Sequence, residues 1–125
     1  MVTEWLDVEL GGDPASIPRA RQVARRFAKS CGADPDSLAL AASEAVTNAV
    51  VHGYRNGRTG PIQLKGYREG DDCVLEVVDR GVGMRPHPDS PGLGMGLPVI
   101  TALAGSVEIE TLRGGTAIRM RFPHV

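Results

Sequence analysis

The stretch SEAVTNAVVHGY, residues 43–54, places Glu44, Asn48 and His52 four residues apart in a run otherwise made of small, mostly apolar side chains. At helical spacing these three stack along one side, with Ser43 and Thr47 beside them. From Leu38 to Tyr54, Glu44 is the sole formally charged residue. A helix lying on a protein surface shows a continuous charged face, so most of this one is expected to be covered. A carboxylate in such surroundings needs a partner or a cavity with water. Two readings follow: a buried polar network that fixes the helix orientation, or a stripe facing a ligand.

The neighbouring segments give this helix a context. It opens with Asp34 as cap and Pro35 at the first position, where a missing N–H costs nothing, and is expected to run to about Tyr54. Before it, Ile17, Ala20, Ala24, Phe27, Ala28 and Cys31 recur at helical spacing after a capping Ser16, and Gly32 supplies the stop. WLDVEL at residues 5–10 alternates and reads as a strand ended by Gly11 and Gly12. After RNGRTG breaks the helical pattern, PIQLKGYRE and CVLEVVD alternate around Gly70, Asp71 and Asp72, which is hairpin chemistry. Glycine and proline punctuate residues 80–96; a short helix at 97–103 then leads to VEIETL and TAIRMRF, two strands hinged on Gly114 and Gly115. Hairpins outnumber crossovers, so the fold class is α+β: a single domain over residues 1–125, a two-layer α/β sandwich whose mixed, mostly antiparallel sheet is covered on one face by helices.

Composition narrows the function classes. The 125 residues are 42% hydrophobic and 23% charged with a formal net charge of -1, which describes one globular domain able to bury a core. Near-neutral charge argues against direct nucleic-acid binding, which favours a basic surface. No apolar run approaches the ~20 residues of a membrane helix, and the first thirty residues do not read as a cleavable signal. Cys31 and Cys73 lack CxxC spacing and nearby histidines, so the expectation is reduced thiols in a cytoplasmic protein and no cysteine metal site.

Two further segments carry chemistry. LEVVDRGVG ends a nearly all-apolar strand on Asp79, followed by Gly81 and Gly83, so a carboxylate stands where the chain turns without side chains. Such an Asp also suits a plain turn cap. PGLGMGLP sets Gly92, Gly94 and Gly96 just ahead of a helix, where free N–H groups and the helix dipole favour an anion; a flexible loop has the same composition. The spacing is neither a dinucleotide fingerprint nor a P-loop.

Taken together, ExxxNxxxH at Glu44, Asn48 and His52, DRGVG at 79–83, GLGMGL at 92–97 and GGT at 114–116 resemble the ATP-binding domain shared by DNA gyrase, the heat-shock chaperone family, sensor histidine kinases and mismatch-repair ATPases. Within that superfamily the chain is most similar to the bacterial anti-sigma factor serine/threonine kinases, and the likeness spans nearly its whole length. The resemblance implies a histidine-kinase-like ATPase fold, ATP and Mg²⁺ as ligands, and a role for each matched position. Asn48 would hold Mg²⁺ through its amide oxygen, and Glu44 would be the general base on a substrate hydroxyl. Asp79 would accept from the adenine amino group, with Gly81, Gly83 and Thr116 completing the adenine pocket. Gly92, Gly94, Met95 and Gly96 form the second glycine motif at the nucleotide. His52 is expected to serve packing rather than catalysis.

The same resemblance implies a regulator that sequesters a sigma factor, phosphorylates an anti-anti-sigma (STAS-like) antagonist on Ser or Thr, and forms a homodimer. Two departures are legible. The lid at 84–91 is eight residues long, and no phosphoacceptor-histidine helix precedes the domain, which argues against a two-component sensor acting on a response regulator. The basic residue that some family members carry ahead of the second glycine motif is absent, the place being held by Ser90 and Pro91, with Arg85 the nearest cation. A nucleotide-gated binding module without kinase activity therefore stays open beside the kinase. Arg19, Arg21, Arg25, Arg26 and Lys29 put five of the fourteen Lys and Arg within eleven residues, either a solvated face or a dock for an acidic partner.

Overall fold

The structure, a computed structural model, describes residues 2–53, 60–80 and 93–123, with the backbone alone at 2–4, 52–53 and 93–97. The chain runs β1 (Val2–Leu10), α1 (Ser16–Cys31), α2 (Pro35–Asn48), a π-helical turn (Ala49–Gly53), β2 (Ile62–Glu69), β3 (Asp72–Asp79), α3 (Leu93–Leu103), β4 (Ser106–Leu112) and β5 (Gly115–Phe122). The sheet order is β1-β2-β3-β5-β4, and every described pairing is antiparallel. The expected α+β sandwich is present, but the sheet is antiparallel throughout rather than mixed. Local hairpin signals fix β2–β3 and β4–β5; they say nothing of how the hairpins meet. Here β5, not β4, lies against β3, and β4 takes the edge.

The core follows from period-two strands laid under period-3.6 helices. Cys73, Leu75 and Val77 of β3 and Ile118, Met120 and Phe122 of β5 belong to one buried cluster with Ala20, Ala24, Phe27 and Ala28 of α1 and Leu38, Ala41, Ala42, Ala45 and Val46 of α2. Alanine on these buried faces lets α1 and α2 approach closely at little entropic cost. Phe27 lies over Gly66 of β2, where an added β-carbon would come within 2.9 Å of the ring. Beside it the β1–β2 register shifts between Glu4 and Leu6, which leaves Trp5 40% exposed.

Helix ends confirm most of the capping chemistry. Asp34 accepts from the Ser37 N–H at 3.1 Å and from its hydroxyl at 2.6 Å. Gly32 adopts φ 96° at the end of α1 and its N–H donates to Ala28 O at 2.8 Å. Ser16 does not cap: it is the first residue of α1 and donates from Oγ to Asp13 Oδ1 at 3.1 Å and from its N–H to Asp13 O at 3.0 Å. The turn at Asp13 has taken over that task.

The expectation of reduced thiols is corrected. Cys31 and Cys73 form a disulfide with Cα atoms 6.0 Å apart, across a separation of 42 residues. Chain spacing hides this pairing, because it arises only when the last inward residue of α1 lands on the first helix-facing residue of β3. Closing such a loop restricts the unfolded chain by about 4 kcal/mol in the chain-entropy treatment.

On the uncovered face of the sheet, Arg119 fastens three strands, 3.1 Å from Glu76, 3.3 Å from Glu108 and 3.5 Å from Glu110. Burial pulls its guanidinium pKa down, but the hydrogen bond and charge of Glu76 outweigh that and raise it. Burial first, and the Glu76 charge second, push the Tyr67 phenol up. Gly66→Ala should destabilise the fold by about 1–3 kcal/mol through the clash with Phe27, read as a lower urea midpoint. An unchanged midpoint would show that Phe27 is free to move aside.

Candidate nucleotide site

Asn48 is the last residue of α2 and is 4% exposed. The helix widens immediately after it: the Ala49 N–H is shared between Ala45 O and Val46 O, and residues 49–53 continue as a π-helical turn, so the α-helix ends short of the expected Tyr54. Such turns are frequent at functional sites. The buried Nδ2 of Asn48 has no hydrogen-bond partner among the described residues. Leaving a buried amide unpaired costs ~1–3 kcal/mol, which a ligand-free fold has no reason to keep. Thr47 does not help it, because its hydroxyl donates to Ser43 O at 2.6 Å. Glu44 is half-buried one turn earlier.

The sheet supplies the second part. Asp79, the last residue of β3, is 3% exposed and sits in register opposite Thr116 of β5, itself 1% exposed. Gly115 makes this possible, since a β-carbon there would run into the Asp79 carbonyl oxygen. The GGT motif thus divides its labour: Gly114 turns the hairpin at φ 81°, and Gly115 lets two backbones touch.

The third part corrects the expected helix at 97–103. α3 starts at Leu93, so Gly94, Met95 and Gly96 lie in its first turn rather than in a loop before it. Glycine propensity argued for a later start, but α3 is anchored further on by buried Ile100 and Ala104. The shift is compatible with the expected chemistry, because the first four N–H groups of a helix have no acceptor within it and are free to meet an anion. α2 packs against both α3 and β3, which joins the three parts. Gly81, Gly83, Gly92 and the 84–91 lid with Arg85 lie outside the described residues, as does the His52 side chain.

A separate cleft of about 370 Å³ opens between β1 and α1, lined by Trp5, Leu6, Val8, Arg19, Val23, Arg26, Phe27 and Ser30. It contains none of the motif residues. Its arginines stand out in the sequence as a basic run; Trp5 does not, its signal being an aromatic on the same strand face as charged Asp7 and Glu9.

A five-stranded antiparallel sheet with helices on one face, a buried Asn at a helix end, a buried Asp at a strand end and a glycine-rich helix start define a nucleotide-binding fold of the histidine kinase type. Residues 10–122 match the histidine kinase-like ATPase domain, and the chain belongs to that family. Its relatives include the anti-sigma F factor of Clostridium acetobutylicum, 35% identical with 69% of this chain and 68% of that protein aligned. The anti-sigma F factor of Thermoanaerobacter sp. is 34% identical, covering 81% and 80%. Among solved structures, the RsbU and RsbW domains of a Mycobacterium tuberculosis protein superpose with a TM-score of 0.71 at 24% identity, over 95% of this chain and 32% of that one. A blue-light activated histidine kinase domain from Erythrobacter litoralis gives 0.58 at 21%, over 87% and 59%. At these identities the structural likeness speaks for the fold alone.

Gly115→Ala should lower both stability and ADP affinity, the latter by about tenfold or more, as Asp79 and Thr116 are pushed apart. Gly114→Ala, which meets open space, should cost only about 1–2 kcal/mol of backbone strain and leave binding intact. Urea denaturation with ADP titration separates them; equal binding losses would deny Gly115 its spacing role.

Proposed function

We propose that this chain is an ATP-binding anti-sigma regulator that holds a sigma factor and transfers the γ-phosphoryl of ATP to a Ser or Thr of an anti-anti-sigma (STAS-like) protein. The observation that carries this reading is Asn48, buried just before a π-helical turn with an unpartnered side-chain NH₂ that a phosphate oxygen would satisfy, in a chain whose relatives are anti-sigma F factors.

Each residue then has a chemical task. Asn48 offers its amide oxygen to Mg²⁺, the remaining ligands coming from phosphates and water; among the described residues no cluster of three or more His, Cys, Asp or Glu offers an alternative. When bound, the ion neutralises phosphate charge. The first turn of α3 presents backbone N–H groups to the phosphates. Asp79 accepts from the adenine amino group, with Thr116 beside it. Glu44, half-buried on the same helix as Asn48, takes the proton of the attacking hydroxyl while the serine oxygen bonds to phosphorus and the bond to the β-phosphate oxygen breaks. Arg19, Arg21, Arg26 and Lys29 are exposed on α1 and form the docking face for an acidic partner; Arg25 is engaged with Asp36 at 3.3 Å. The regulator acts as a homodimer in the cytoplasm. Among the described residues no helix is long and apolar enough to cross a membrane.

A nucleotide-gated module without catalysis is the second reading, favoured by Ser90 and Pro91 standing where some family kinases place a basic residue.

Base recognition gives the first test. ATP and ADP should bind clearly better than GTP, whose base presents an oxygen to Asp79, and Asp79→Asn should weaken adenine binding by ~1–3 kcal/mol. Equal calorimetric affinity for GTP would remove Asp79 from that role.

Labelled ATP separates the two readings. Asn48→Ala should lose nucleotide affinity and phosphoryl transfer together. Glu44→Gln should bind Mg-ATP nearly as well as the parent while transfer to the antagonist serine falls by roughly 10²–10⁴. A parent that labels no partner, yet changes partner affinity with ATP, would leave the nucleotide-gated module standing.

A further inference from the structure

The Cys31–Cys73 bond joins the last turn of α1 to the first helix-facing residue of β3, and the two residues are 1% and 0% exposed. β3 is held in the sheet on both sides, Cys73 standing in register with Arg68 of β2 and Phe122 of β5. The end of α1 is a helix terminus, where fraying begins. It carries exposed Lys29 and Ser30, and its last bonds run from the Gly32 and Ala33 N–H groups to Ala28 O. Solvent therefore reaches the sulfurs by opening the end of α1, not by parting the sheet.

We propose that Cys31–Cys73 is a reversible thiol–disulfide site, exchanged with a dithiol or a low-molecular-weight disulfide, that sets how firmly the C-terminal turns of α1 are held to the sheet. In reduction, a thiolate of the dithiol attacks one sulfur and forms a mixed disulfide; the second thiol displaces it. The protein gains two electrons and two protons, and the reductant leaves as its own disulfide. In oxidation, one protein thiolate attacks the small disulfide and releases one thiol, and the second cysteine then displaces the other from the mixed disulfide, so two small thiols leave as the protein loses two electrons and two protons. The reduced side chains still suit the core, because a cysteine thiol packs as a small hydrophobe beside Phe27, Ala28 and Phe122. Reduction thus loosens α1 without dissolving the fold. In a reducing compartment the dithiol is the resting form, and an oxidant locks the helix that carries Arg19, Arg21, Arg26 and Lys29.

This site is independent of the nucleotide. Cys73 and Asp79 stand at opposite ends of β3, six residues or ~20 Å apart at strand rise. ADP affinity is therefore expected to be the same in both redox states.

Hydrogen exchange on the full chain, oxidised with glutathione disulfide or reduced with dithiothreitol, tests the proposal. Intact mass after alkylation in denaturant assigns the state. The oxidised chain should lack two hydrogens and resist alkylation, and on reduction amides at 28–33 should exchange at least about tenfold faster while β2, β3 and β5 keep their protection. The Cys31→Ala/Cys73→Ala double variant should not respond to reductant. Three results would each overturn the proposal: both cysteines alkylated in the glutathione-oxidised protein, α1 exchange unchanged by reduction, or loss of strand protection on reduction, which would make the bond a staple of the whole fold. A reductant effect that persists in the double variant would come from elsewhere in the chain and would overturn it equally.

Discussion

The structure depends on α2 being pinned on several sides through side chains no larger than they need to be. Ala39, Ala41, Ala42 and Ala45 are buried along it, and α1, α3 and β3 all pack against it. That close approach carries Asn48 inside, where an amide without a partner is costly. The unpaired group is the Nδ2 donor, which an acceptor such as a phosphate oxygen of a bound nucleotide would satisfy. The other features stand around the same helix: α3 packs against α2, and β3 ends on a buried carboxylate whose backbone closely approaches Gly115 of β5.

Much of this was legible in the sequence because it is local. Asp34, Pro35 and Gly32 punctuate the helices through backbone chemistry that needs no tertiary information, and the β2–β3 and β4–β5 hairpins announce themselves by alternation around Gly70 and Gly114. The stripe Glu44–Asn48 is a matter of helical period. What was not legible is what non-local packing decides. The order of β5 and β4, the early start of α3 through its glycines, the π-turn after Asn48 and the meeting of Cys31 with Cys73 all depend on where distant segments come to rest. Ser16 is the counterexample on a small scale, a local signal overridden by the neighbouring turn at Asp13.

The domain also separates its jobs in space. Nucleotide chemistry is assigned to the end of α2, the start of α3 and the β3–β5 contact, whereas the exposed arginines and Trp5 surround a cleft between β1 and α1 that shares no residue with it. The disulfide sits between these regions, tying the basic helix to the strand that ends in Asp79. On the proposed function, nucleotide reading and protein docking are kept on separate surfaces.

Asn48 is, on this account, a metal–nucleotide ligand rather than a structural amide. Its side-chain NH₂ resonances in a ¹⁵N spectrum test this directly, with paramagnetic Mn²⁺ standing in for Mg²⁺. Substoichiometric Mn²⁺ together with ADP should broaden the Asn48 signals beyond detection, while ADP alone shifts the backbone amides at Asp79 and Thr116 and Mn²⁺ alone leaves Asn48 sharp. Asn48 signals that stay sharp in the presence of Mn²⁺ and saturating ADP would contradict the account.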